Sequence, residues 1–228
     1  MVNDARSRDL VAGLTLAIDA STYAGTVAVL RDGVVVAARE AMMRGEHEER
    51  LMPAVLAALA DARAVPRDVA RVVCGAGPGS FTSLRIAAGI GKGIAHGAGV
   101  PLYAVSSLAL VVAGAEPPLS AGRYIATLDA MRGERYAQHV VVRDDGSVQV
   151  DGAAAIASPE QLASEAAARV GPLESPSIAP HARGVVRMLA GIVAGGAVDL
   201  DGWEPSYGRL AEAQVRWEAA HGRPLSSA

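Results

Sequence analysis

Apolar residues recur along the chain with two periods, and the switch between them sets the expected order of elements. Leu14 to Asp19, Thr26 to Leu30 and Val34 to Ala38 are short β-prone runs, and Arg31-Asp-Gly33 supplies a turn between the last two. Three antiparallel strands should open the fold. Over Glu46 to Ala62 the period lengthens: Leu51, Val55, Leu56 and Leu59 fall on one helical face, with Pro53 in or near the first turn. After Pro66 the pattern reads strand (Arg71 to Gly75), glycine-rich loop, helix (Phe81 to His96), strand (Pro101 to Val105), and a helix beginning at Ser106 or Ser107. The predicted order is βββαβαβα.

That order is the ribonuclease-H-like arrangement, used in duplicated form by actin-like ATPases. A second copy is visible. Leu16-Ala-Ile-Asp-Ala20 runs into a hairpin closed by Arg31-Asp-Gly33, and Ala126-Thr-Leu-Asp-Ala130 runs into one closed by Arg143-Asp-Asp-Gly146. Helices are then expected over Ser158 to Arg169, where Ser158 and Gln161 have capping-box spacing, and over His181 to Ala194. Gly114 to Gly122 reads as the inter-lobe connection, and Gly171 to Pro180 occupies the place of a strand in the second copy. The reading is an α/β, actin-like ATPase (ribonuclease-H-like) fold with a flexible lead over 1–13, a first lobe over 14–113, and a reduced second lobe over 123–228. The tail of the second lobe should return to the body.

Composition changes the picture mainly by exclusion. With 228 residues and 51% hydrophobic content, the chain can bury a substantial core. Its formal charge of −3 gives no basic excess to attract a phosphate backbone, so a stand-alone RNA binder is disfavoured. The single cysteine, Cys74, lies in an apolar run and fits a reducing, cytoplasmic setting. The polar start, Met1 to Asp9, lacks the pattern of a secretory signal, and the apolar run Val100 to Ala115 is shorter than the roughly 20 residues that span a bilayer. No membrane association is expected.

The candidate chemistry gathers at three places. Asp19 ends the first strand and is followed by Ser21 and Thr22, which either cap the hairpin or offer hydroxyls and amides to a phosphate or hydrated metal. Asp129 is its pseudo-symmetric mate, but Asp129-Ala-Met-Arg-Gly-Glu-Arg-Tyr136 makes a poor phosphate cradle. The loop Gly75-Ala-Gly-Pro-Gly-Ser-Phe-Thr82 sits between strand and helix; it lacks a Walker lysine, and Thr82 replaces the third glycine of a dinucleotide fingerprint. A tight turn capped by Ser80 or Thr82 accounts for it equally well. Gly89, Gly93 and Gly97 then recur every four residues along the following helix. Each interior glycine costs up to about 1 kcal/mol relative to alanine, so the series implies close approach, by the protein's own sheet or by another helix.

Metal and nucleophile chemistry find no pattern. None of His47, His96, His139, His181 and His221 has a histidine four residues away, so there is no helical metal pair and no catalytic metal or residue is assigned. A nuclease would need carboxylates on adjacent strands, where this chain offers Cys74 and Gly75. The tail Trp203-Glu-Pro-Ser-Tyr-Gly-Arg209, with a short charged helix over Ala211 to His221, reads as a strap over the body or as a docking arm.

Five segments in order along the chain resemble the TsaB (YeaZ) family of tRNA threonylcarbamoyladenosine biosynthesis, a degenerate paralogue of TsaD. They are Ile18-Asp-Ala-Ser-Thr22, His47-Glu-Glu-Arg-Leu-Met-Pro53, Gly77-Pro-Gly-Ser-Phe-Thr-Ser-Leu-Arg-Ile86, Asp129 to Tyr136, and Glu204-Pro-Ser-Tyr-Gly-Arg209 with Ala211-Glu-Ala213. Ser83 stands where the family usually has glycine. The resemblance implies a non-catalytic subunit that binds and activates TsaD for threonylcarbamoyl transfer to adenosine 37 of tRNAs reading codons that begin with A. It implies a heterodimer with TsaD, recruitment of the ATPase TsaE, a homodimer when alone, and tRNA contact only through the complex. Asp19, Ser21, Thr22 and Asp129 become degenerate nucleotide loops, with a place for ATP or ADP and magnesium at the subunit interface. Gly77, Pro78, Gly79, Ser80, Phe81, Thr82, Leu84, Arg85, Gly89, Gly93 and Gly97 become the partner interface. An ATP-binding phosphotransferase or ATPase of the actin-like superfamily is the alternative.

Overall fold

A computed structural model describes residues 10–43, 49–208 and 221–222. Strands β1 (Leu14–Asp19), β2 (Ala24–Arg31) and β3 (Val34–Met42) form an antiparallel meander, and β4 (Arg71–Gly75) and β5 (Leu102–Val105) join it in parallel, giving the order β3-β2-β1-β4-β5. The β2–β3 turn places Asp32 and Gly33 at φ of 51° and 77°, the two left-handed positions of a tight hairpin. β1 is central and buried along its whole length, which explains why its sequence is apolar except at Thr15 and Asp19.

The two faces of β1 serve different cores. Leu14, Leu16 and Ile18 pack against α1 (Leu51–Asp61) and α2 (Phe81–Ala98), through Leu51, Val55, Leu59, Ala87, Ile94 and Ala95. Ala17 faces the opposite way, toward α3 (Ser107–Ala113). Every residue of α3 is buried, because the helix lies between this sheet and a second one; its apolar residues cover its whole circumference for that reason.

The second sheet contains β6 (Gly122–Asp129), β7 (Arg135–Val142), β8 (Val148–Val150) and β10 (Ala168–Val170), in the order β10-β6-β7-β8, with β9 (Ala155–Ala157) also on β7. β6 stands between antiparallel β7 and parallel β10, as β1 stands between β2 and β4. The fold is therefore α/β and actin-like, with a duplicated unit whose second copy is reduced: its parallel strand has 3 residues against 5 in β4.

Three sequence expectations need correction. The helix read over Ser158 to Arg169 is only α4 (Pro159–Ala163), although its Ser158/Gln161 capping box forms. Beyond it the alanine-rich run has helix propensity but little to bury, and pairing with β6 draws residues 168–170 into β10. The missing strand of the second copy is thus β10, not the stretch 171–180. The helix read over His181 to Ala194 splits into a 3-10 segment, Ala182–Arg187, and α5 (Leu189–Ala194). There Gly184 crosses Ala113 and Gly114 so closely that a Cβ would meet their backbone, and the Ala182 amide donates to Thr26 Oγ1 at 3.0 Å. The reading of His47 as a helix start, and of a helix over 211–220, lies outside the described residues.

Candidate functional site

The glycine loop between β4 and α2 is closed by the protein's own backbone. A Cβ on Gly77 would overlap the carbonyl oxygen of Ser206, and one on Gly79 would overlap that of Ser21. Gly77 also has φ of 82°, which side chains rarely adopt. The Ser206 amide donates to Ala76 O at 2.8 Å and the Ser80 amide to Ser21 O at 2.7 Å, so the approach is hydrogen-bonded on both sides. Close approach is real here, but the approaching chain is internal.

Asp19 anchors the same node from below. Its Oδ1 accepts from the Ser21 amide (3.1 Å) and hydroxyl (2.8 Å), and its Oδ2 from the Ser107 hydroxyl at 2.7 Å. Ser107 Oγ accepts from the Gly77 amide at 3.0 Å, while the Ser107 amide donates to Gly77 O at 3.0 Å. A Cβ on Gly75 would strike the carboxylate. Burial pushes the Asp19 carboxyl above its ordinary range; hydrogen bonds from Ser107 and Ser21 pull it back. Burial also pushes the Cys74 thiol up, so it is no nucleophile.

The chain after α5 forms a strap back across the first sheet. The Val198 amide donates to Leu102 O at 2.9 Å, and Lys92 Nζ of α2 donates to the carbonyls of Asp201 (3.2 Å) and Trp203 (2.9 Å). Beyond Ser206, the ring of Tyr207 lies 4.4 Å from that of Phe81, and the Arg85 guanidinium sits 5.3 Å above Phe81. Tyr136 of the second sheet donates its hydroxyl to Tyr207 O at 3.2 Å. The strap thus walls a cleft of about 710 Å³ between the sheets, lined on one side by Ser21, Thr22 and Ser80 and on the other by Asp129, Met131 and Arg132.

The stepped glycines behave differently. Gly89, Gly93 and Gly97 have nothing within 4 Å of a built Cβ, whereas Gly91, on the opposite face of α2, lies against Val72 and Cys74. The three line a groove of about 370 Å³ with Ile90, Met52 and Arg67. Packing on the protein's own sheet does not account for them.

The predicted site residues consequently divide. Phe81, Thr82, Arg85, Gly89, Gly93 and Gly97 form an exposed stripe along α2, and Gly79 and Ser80 are half-buried at its start. Gly77, Pro78 and Leu84 are buried against the chain itself. Ser83 is buried as well, its hydroxyl 3.0 Å from that of Ser80. Asp19 and Ser21 are also buried, Thr22 is half-buried, and Asp129 is exposed, with Oδ1 accepting from the Met131 amide at 2.8 Å. Sequence reasoning missed Ser107 and Ser206, which reach the loop from far along the chain, and Tyr136, which reaches the strap at Tyr207 from 71 residues away.

These residues also bear on ATP and magnesium. A phosphate tail needs free amides and an available carboxylate. Here carbonyl oxygens fill the glycine positions, and Asp19 is buried with both oxygens engaged by Ser21 and Ser107, so the cleft does not fit the group.

Comparison with known proteins converges on one family. Residues 40–185 match the family model for TsaD, described as tRNA N6-adenosine threonylcarbamoyltransferase. The chain is 41% identical over 121 residues to the tRNA threonylcarbamoyladenosine biosynthesis protein TsaB of Escherichia coli, covering 53% of this chain and 52% of that protein. It is 36% identical over 126 residues to the Bacillus subtilis protein of the same name, again covering 53% and 52%. It thus spans about half the length of the curated relatives it matches. Among solved structures, YeaZ from Pseudomonas aeruginosa superimposes with a TM-score of 0.75 at 30% identity, covering 86% of this chain and 99% of that one. With a matching α/β architecture along nearly the whole of YeaZ and a family-model match over most of its length, the chain belongs to the TsaB (YeaZ) family, within the wider TsaD group.

Proposed function

We propose that this chain is a non-catalytic subunit in tRNA threonylcarbamoyladenosine biosynthesis, which binds a TsaD-type transferase and activates threonylcarbamoyl transfer to adenosine 37 of tRNAs reading codons that begin with A. The observation that carries the reading is the open stripe on α2: three glycines at four-residue spacing, unoccupied by the chain itself, leave room for another backbone. The buried, internally bonded Asp19 and the blocked loop count against the alternative of an ATPase or phosphotransferase working alone. In this reading the partner supplies the catalytic metal, TsaE joins through the complex, tRNA is held there in the cytoplasm, and two copies of this chain pair through the same stripe in the partner's absence. Any ATP or ADP at the subunit interface would be held by the partner's residues.

The test is reconstitution. The purified chain alone should leave tRNA unmodified, and mixing it with its cognate TsaD and TsaE should restore modification. Gly93→Leu should fold normally yet weaken the TsaD complex at least tenfold by calorimetry; wild-type affinity in that variant would refute the assignment of the stripe.

A further inference from the structure

The inter-lobe cleft has a composition that neither the family reading nor a nucleotide site explains. Of the 12 large hydrophobic side chains exposed among the described residues, five line it: Tyr23, Phe81, Met131, Ile156 and Leu173. Its lip turns through Met131, Arg132 and Gly133 at φ of 65°, 56° and 81°. Two successive non-glycine residues in the left-handed region are uncommon, and such backbone outliers cluster at ligand sites. The turn is held there by the Met131 amide on Asp129 Oδ1 and by the Glu134 amide on Met131 O at 3.1 Å. The result is an aliphatic Met131, 61% exposed, projecting from the lip of an aromatic-walled cavity.

We propose that this cleft binds a flat, uncharged aromatic group, of the chemical class of a nucleobase without a polyphosphate tail. Its volume of about 710 Å³ lies in the usual range of small-molecule sites. Tyr23, Phe81 and Tyr207 offer ring surface, and stacking of this kind tolerates any base because every base has a π-face. The second carboxylate oxygen of Asp129 has no partner among the described residues and can accept from an exocyclic amine. The Ser80 amide in the wall is not free for a phosphate, because it already donates to Ser21 O at 2.7 Å. The charged residues of the lining, Asp129 and Arg132, cancel, so no positive excess compensates.

The site belongs to the chain alone, so its test is independent of TsaD. Titration calorimetry of the purified chain should show adenosine binding at least tenfold more tightly than ATP with magnesium, the reverse of the order in a nucleotide cleft. Met131→Glu and Tyr23→Ala, both at exposed positions, should each weaken adenosine at least tenfold while the melting temperature stays unchanged. A single-stranded oligoadenylate separates the sources: tighter binding than adenosine assigns the base to an RNA strand, weaker binding to a free nucleoside. ATP binding as tightly as adenosine, no adenosine binding at millimolar concentration, or wild-type affinity in both variants would overturn the proposal.

Discussion

Two sets of glycines, close together in one strand-loop-helix unit, meet opposite surroundings. In the loop, Gly75, Gly77 and Gly79 have no room for a Cβ, because Asp19, Ser206 and Ser21 fill that space. In the helix, Gly89, Gly93 and Gly97 have nothing near them. The first set is required by the chain's own folding. The second set lowers helix propensity by up to about 1 kcal/mol per residue and gains no internal contact in return, so its use lies outside the monomer. One residue type, repeated over a short stretch, thus marks an internal backbone crossing and then an external docking face.

Substitutions can break this contrast in a graded way. The largest effect is expected from Gly77→Ala or Gly79→Ala, where the added methyl overlaps the carbonyl oxygen of Ser206 or Ser21; a loss of about 2–4 kcal/mol should appear as a lower urea midpoint. Equal stability of these variants and the wild type would show that the strap can move aside without cost. Asp19→Asn comes next, at about 1–3 kcal/mol, because the amide cannot accept at both oxygens from Ser21 and Ser107.

A pH scan sharpens the comparison at the crossing of the two sheets. His181 is buried, with Nδ1 accepting from the Arg183 amide at 3.0 Å and Nε2 3.3 Å from Glu40 Oε1. Burial first, and then the Arg183 charge, lower its pKa from 6.5 to about 4. The unfolded chain therefore takes up the proton first, and stability present above pH 6.5 should be lost as pH falls toward 4. Asp19 works in the opposite sense, since its raised pKa makes stability fall as pH rises above the ordinary value of 3.8. Thermal melts of wild type and His181→Asn between these limits should converge at the acid end.

Smaller effects are expected farther from the node. Lys92→Met should cost about 0.5–1.5 kcal/mol by releasing two strap carbonyls, seen as a red shift of Trp203 emission on local loosening. The smallest change in stability belongs to Gly89→Ala, which should be neutral or gain up to about 1 kcal/mol, the inverse of the same substitution in the loop.

Most of the first lobe was legible from residue pattern. The hairpin at Asp32-Gly33, the apolar stripe of Leu51, Val55 and Leu59, and the glycine-stepped helix all follow from local periodicity and turn chemistry, although Leu56, read onto the same stripe, is exposed. In the second lobe those signals misled, because the run after α4 is alanine-rich and residues 168–170 take their conformation from pairing with β6. The candidate site divides in the same way. Phe81, Arg85 and Gly89 could be placed on one helix face from spacing alone, whereas the role of Asp19 depends on a serine 88 residues away.

The sequence by itself determined the strand and helix order of the first half, the repeat of the strand-Asp-Ala unit, and the fact that the helix after the glycine loop carries an unusual face. Only the tertiary structure decided what each glycine is for. A missing side chain records that something comes close or that something must fit; which of the two depends on the atoms opposite. In the loop those atoms are the backbone oxygens of Ser21 and Ser206, brought there by the fold, and beside Gly89, Gly93 and Gly97 there are none from this chain within 4 Å.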